Sequence, residues 1–303
     1  MPTPLIDPPG RQGPGRVGGP AVQAIELALA RRTGGVLPGE HRAAGLGSGT
    51  ELSQLRPYVE GDDVRHLDPA ASARTGEPHV RVHVPERTVT TWIALDVSAS
   101  MAFGTRDRLK SDVAEGVARV VSRVGVRRGG RIALFRWGAG AGATRLVPPA
   151  GGRGALGTVD RALAEGVAPD GTADAEDLAT ALGRLTRIAR RPGIVTVVSD
   201  LRDGSAWERP LSVLARQHRV LVIEVVDPRE LALPDAGTLL LVDPETGEDV
   251  EVDTSSRRLR EAFARAESER REGVRAAVRR TRSGFLTVTT DGDWLRELGR
   301  GLA

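Results

Sequence analysis

The sequence predicts a doubly wound α/β domain with a mostly parallel sheet, antiparallel edge strands and an N-terminal extension. Three observations carry that expectation. Residues 194–198 and 220–226 are unbroken apolar, β-branched runs, the pattern of strands covered on both faces. Between such runs, apolar residues recur at helical spacing, as in Leu109, Val113, Val117, Val120, Val121 and Val124. Strand and helix therefore alternate, which demands parallel strands joined by right-handed crossovers.

Residues 1–20 hold six prolines and five glycines and are too poor in apolar groups to build a core, so they read as a disordered tail. Residues 21–87 form an N-terminal extension. Within it, Val22, Ile25, Leu27 and Leu29 mark a short helix over 21–32, stopped by Gly34-Gly35. Residues 51–87 are dense in paired charges. Val80, Val82 and Val84 alternate with His79, Arg81 and His83, a half-exposed strand expected to pair antiparallel with residues 88–95 through Pro85-Glu86.

The main domain is expected over 88–303. Its first strand covers 90–95, followed by the helix around Val113–Val124, which Gly129-Gly130 ends. A strand over 131–137 and a short edge strand over 144–147 come next, before Pro148-Pro149. Gly138-Ala139-Gly140-Ala141-Gly142 follows a strand without opening a helix, and reads as a hairpin turn. Helices over 156–163, 175–190 and 211–217 alternate with the two continuous strands. Asp243-Pro244-Glu245-Thr246-Gly247 between residues 239–242 and 250–252 signals a hairpin. A long helix over 256–282 carries ten arginines against four glutamates, with Leu259, Phe263, Val274 and Val278 expected to bury one side and the charges to face solvent. A strand over 285–289 and a helix over 293–302 close the chain.

Composition excludes several function classes. The chain has no cysteine, so disulfides and thiolate metal sites are ruled out. No stretch approaches the roughly 18 apolar residues of a membrane span, and the Pro/Gly-rich start lacks a signal peptide's apolar centre; a cytoplasmic protein is the expectation. Of 43 basic residues only Lys110 is a lysine. The arginine excess is a compositional habit, and with aromatics at 3 % it gives nucleic-acid binding little support. The chain lacks a phosphate loop, a Gly-x-Ser-x-Gly elbow and a cysteine nucleophile, so enzyme signatures are absent.

The chemistry-bearing stretch is Asp96-Val97-Ser98-Ala99-Ser100-Met101, at the end of the first buried strand. Ligands gather beyond the carboxyl ends of strands in open parallel sheets. A carboxylate and two hydroxyls there suit a hard cation such as Mg²⁺, which keeps positions for water or a partner's oxygen. Val198-Ser199-Asp200 ends another strand and adds Asp200. A third loop, Asp170-Gly171-Thr172-Ala173-Asp174-Ala175-Glu176, offers Thr172 or Glu176. The competing account is that Asp and Ser after strands cap helices and close turns.

These residues resemble a von Willebrand factor A-type (vWA) domain, whose metal-ion-dependent adhesion site (MIDAS) combines Asp-x-Ser-x-Ser with a Thr and an Asp on three loops. More closely, the chain resembles the bacterial domain-of-unknown-function 58 family. That family's signature, Arg-x-Tyr-x-x-Gly-Asp-Asp-x-Arg, stands as Arg56-Pro57-Tyr58-Val59-Glu60-Gly61-Asp62-Asp63-Val64-Arg65, followed by Ala71-Ser72-Ala73-Arg74 and the Asp96 motif. The likeness runs from about Gly45 to the C-terminus. It departs at Pro69, where the family has Trp, and at the third loop, where the family's spacing from Ala181-Leu182 falls on Glu176 rather than Thr172.

The resemblance implies a non-catalytic protein-interaction module holding Mg²⁺ or another divalent cation, absent if the third loop is degraded. An acidic residue of a partner would complete the ion's shell. It further implies that the chain is an adaptor for a MoxR-type AAA+ ATPase in chaperone-like maturation of client proteins. The signature charges Arg56, Asp62, Asp63, Arg65 and Arg74 are expected to lock an irregular segment by bidentate pairing. Alternative functions are a metal-dependent hydrolase using the same strand-end carboxylates, or an Arg-rich nucleic-acid binder.

Overall fold

The computed structural model describes residues 5–15, 25, 51–84, 89–127, 129–140, 145–172 and 175–302. The chain divides into residues 34–88 and a larger unit of residues 1–33 and 89–303. The division falls between residues 88 and 89, and residues 1–33 group with the larger unit.

In the smaller unit, Glu51–Pro57 (β1) pairs antiparallel with His79–Val84 (β2), and Pro69–Thr75 (α1) lies between them in sequence. The signature supplies part of the expected lock. Arg56 grips Asp62 with two hydrogen bonds of 2.7 Å, and the guanidinium holds the Asp62 carboxyl below its ordinary pKa. Gly61 takes φ 105°, which a side chain would oppose. Asp63 instead accepts from the Arg65 backbone as a helical cap. Asp68 caps α1 and is also held by Arg81 at 2.7 Å, with Pro69 at the first helical turn, where a missing N–H is harmless. That is a physical reason for the departure from Trp at this position.

The larger unit is built on a six-stranded sheet. Its strands are Thr90–Asp96 (β3), Arg131–Trp137 (β4), Leu146–Gly151 (β5), Ile194–Ser199 (β6), Arg219–Val226 (β7) and, after a separate hairpin of Thr238–Val242 (β8) and Asp249–Asp253 (β9), Gly284–Thr289 (β10). The order is β10-β7-β6-β3-β4-β5, parallel throughout except for β5. The mostly parallel, doubly wound α/β fold is as the sequence predicts. Pro148 and Pro149 are tolerated inside β5 because it is an edge strand. The expected pairing of β2 with β3 does not form: β4 and β6 occupy both edges of β3.

Helices Lys110–Arg127 (α2), Gly152–Leu163 (α3) and Trp294–Leu302 (α7) cover one face. Leu178–Ile188 (α4), Glu208–Gln217 (α5) and Arg257–Arg280 (α6) cover the other. Successive residues of β3 serve the two cores in turn, Ile93 and Leu95 the first, Trp92 and Ala94 the second. Each fully buried Leu, Ile or Val contributes about 1.5–3 kcal/mol, so this two-sided burial fixes the strand in the centre.

Two expectations need correction. The N-terminal tail is docked where it is described: Ile6 and Val167 exchange backbone hydrogen bonds of 2.8 and 3.0 Å, and the Gln12 and Gly13 amides donate to buried Asp112. An irregular Pro/Gly segment needs no regular structure when a carboxylate takes up its amides. Of the expected helix 21–32 only Ile25 is described, helical and buried; the rest lies outside the described residues.

On α6, Leu259 is 37 % exposed and burial is confined to Glu267, Val274, Ala277 and Val278. Its charges are not all solvated either. Arg271 reaches inward to Glu224 at 2.8 Å, and Arg270 binds the Leu201 carbonyl at 2.9 Å. Among the described residues, no helix is long and apolar enough to cross a membrane.

Candidate metal centre

The winding direction reverses at β3. The chain leaves it towards β4 and β5, then returns to place β6 on its other side. The carboxyl ends of β3 and β6 flank that switch point, where open α/β sheets form ligand crevices. Asp96 ends β3, and Asp200 directly follows β6.

The side chains are linked in a continuous chain. Asp96 accepts from the Ser98 amide at 2.9 Å and from the Ser199 hydroxyl at 2.6 Å. The Ser98 and Ser100 hydroxyls lie 3.1 Å apart, and Ser100 also bonds Asp200. Asp200 accepts from the Arg202 amide at 3.1 Å and from the Lys110 ammonium at 2.6 Å. Leu201, between them, has φ 54°, a left-handed conformation disfavoured for a bulky residue and found here at the rim of the site.

Electrostatically the two aspartates differ. Burial pushes Asp96 up, and the charge of Asp200 pushes it further, to about 7. Burial also opposes ionisation of Asp200, but the Lys110 ammonium outweighs it and holds Asp200 below its ordinary range. Lys110 is wholly buried between Asp200 and Glu230, each at 2.6 Å. Among the described residues no cationic side chain pairs with Asp96. In that position the charged form of a buried carboxylate is disfavoured, and a proton or a cation relieves it.

The donor set fits a hard divalent ion. Its members are all oxygens, from two carboxylates and two hydroxyls. Space is kept open by Gly138, whose φ is 89° and where a Cβ would stand 2.8 Å from Asp96 Oδ1 and 2.7 Å from the Ser98 amide. Among the described residues no three carboxylates or histidines converge; an ion here would draw on Asp96, Ser98, Ser100 and Asp200, with the remaining positions for water or a partner.

Those four predicted residues are brought together. The third loop is placed less favourably. The Thr172 hydroxyl donates to the Pro169 carbonyl at 2.5 Å, and the Glu176 carboxylate meets Arg184 at 3.0 Å. Sequence reasoning missed Ser199, Lys110, Glu230 and Gly138. Ser199 and Gly138 lie in stretches the sequence singles out for other reasons, and Lys110 stands out as the single lysine among 43 basic residues.

The protein family described as "Protein of unknown function DUF58" matches residues 54–273. The chain belongs to this family. The uncharacterized protein Rv1480 of Mycobacterium tuberculosis is 38 % identical over 287 residues, covering 93 % of this chain and 88 % of that protein. Among solved structures, an aerotolerance-related membrane protein from Bacteroides fragilis is similar over 71 % of this chain and 98 % of its own, with 15 % identity and a TM-score of 0.44. A von Willebrand factor type A structure from Catenulispora acidiphila is similar over 71 % of this chain and 42 % of its own, at 12 % identity and a TM-score of 0.37. The chain's own strand order and switch point establish the doubly wound α/β architecture of this DUF58 protein.

Proposed function

We propose that this DUF58 protein is a non-catalytic interaction module whose cation site is completed by a carboxylate of another protein. The observation that carries the reading is Asp96, a buried carboxylate with no cationic partner among the described residues, joined through Ser98 and Ser100 to Asp200 at the switch point. Mg²⁺ or a similar ion would be held by Asp96, Ser98, Ser100 and Asp200, with Thr172 in the adjoining loop. Such an ion supplies a Lewis-acidic contact for an incoming carboxylate. Ser199 orients Asp96, Lys110 fixes Asp200, and Gly138 keeps the approach open. Glu176 is left out of this set, because Arg184 engages it.

The partner implied by the family resemblance is a MoxR-type AAA+ ATPase acting on a client protein. The test uses immobilised protein and the purified MoxR-type ATPase encoded in the same genome. Retention is expected in Mg²⁺ and is lost with chelator or with Asp96→Asn. Retention that persists in chelator would overturn the reading.

A further inference from the structure

The β8–β9 hairpin ends on the cation site rather than in solvent. At its tip, Glu245 Oε1 accepts from the Ser100 amide at 3.1 Å, and the Pro244 carbonyl accepts from the Gly171 amide at 2.8 Å. One turn thus bridges the Asp96 loop and the Thr172 loop. The turn is internally braced, since Asp243 accepts from the Glu245 amide at 2.8 Å and donates its own amide to Glu248 at 2.8 Å. The strands behind it are largely solvated, with Leu240, Val242 and Val250 at 63, 54 and 60 % exposure. Packing does not explain why the tip is seated there.

Glu245 is also chemically conspicuous. In a chain with 42 arginines, no cationic side chain pairs with this half-buried carboxylate among the described residues. Its partner is instead the amide of Ser100, whose hydroxyl touches Ser98 and Asp200. Asp96 and Glu245 are two carboxylates on one site with no cationic side chain beside either among the described residues.

We propose that Glu245 is an internal stand-in for the partner's carboxylate, so that the hairpin caps the site until an external acidic residue displaces it. This rests on the cation-site reading above. A cap closed about nine-tenths of the time weakens an external carboxylate about tenfold.

The test loads the full chain with Mn²⁺, follows water-proton relaxivity, and titrates sodium acetate into wild type, Glu245→Ala and Glu245→Gln. The glutamine variant keeps an acceptor for the Ser100 amide and so preserves the turn. Acetate should displace metal-bound water at about tenfold lower concentration in both variants than in wild type. Coincident titrations in all three proteins would overturn the cap while leaving the cation site standing. Failure of every variant to bind Mn²⁺ would overturn the cation-site reading and the cap together.

Discussion

Asp96 and Asp227 are the same residue type at the same rim of the same sheet, one ending β3 and the other following β7. Asp227 is saturated. It accepts from the Thr105 amide at 2.8 Å, the Thr105 hydroxyl at 2.7 Å, the Thr290 hydroxyl at 2.6 Å and the Arg229 amide at 2.9 Å. Burial opposes its ionisation, but those donors outweigh burial and hold its pKa below the ordinary value. Asp96 has fewer donors and faces Asp200, so its pKa goes the other way. A strand-end aspartate becomes a structural tie or an ion-seeking group according to how many donors the fold points at it.

The largest effect that would sharpen this contrast is at Lys110. Lys110→Met leaves Asp200 and Glu230 buried without their shared cation and should cost about 3–5 kcal/mol in urea denaturation. A loss under about 1 kcal/mol would show that Asp200 is not held by this pair.

Asp227→Asn comes next, at about 2–3 kcal/mol, because hydrogen bonds to a charged group are lost. The pH dependence follows from the depressed folded-state pKa. The stabilisation is present above the unfolded carboxyl value of about 3.9 and fades as pH falls through the lower folded value. The variant should lack that acid-side decline, which a stability series between pH 2 and pH 5, bounds chosen roughly around those values, would detect.

At Asp96 the sign reverses. Adding Mg²⁺ at about a hundred times its dissociation constant should stabilise wild type by about 2.7 kcal/mol. Asp96→Asn should remove that gain, yet leave the chelated protein within about 1 kcal/mol of wild type or more stable, since a repulsive buried charge is gone. A large loss in chelator would make Asp96 a tie like Asp227 and end the comparison.

The smallest effect is expected at Glu176. Glu176→Gln loosens its partly exposed pair with Arg184, worth about 0.5–1 kcal/mol, and should leave the Mg²⁺-induced stabilisation unchanged.

The sheet was legible where burial wrote itself into local pattern. The continuous runs of β6 and β7, and the alternation between helices and strands, place the switch point and with it Asp96 and Asp200. β1 was not legible, because Glu-Leu-Ser-Gln-Leu-Arg-Pro is a strand only through its pairing with β2. The same limit hid half of the site. Ser98 and Ser100 sit beside Asp96 in sequence, whereas Lys110, Glu230 and Glu245 arrive from remote elements, and no spacing rule joins them. Counting could not show that the Thr172 hydroxyl turns to the Pro169 carbonyl or that Glu176 meets Arg184, since both contacts form only in the folded chain.

The Pro/Gly-rich leader also has a practical bearing. Its Arg11 reaches Glu115 and its Pro14 carbonyl receives the Trp294 indole N–H at 3.1 Å, so the chain's first described stretch straps the opening turns of α2 to the closing helix α7. Trimming it to obtain a tidier domain would strip the buried Asp112 of two backbone donors and unseat the helix whose first residue, Lys110, anchors Asp200. Residues 11–14 therefore bear on how firmly Lys110 holds Asp200.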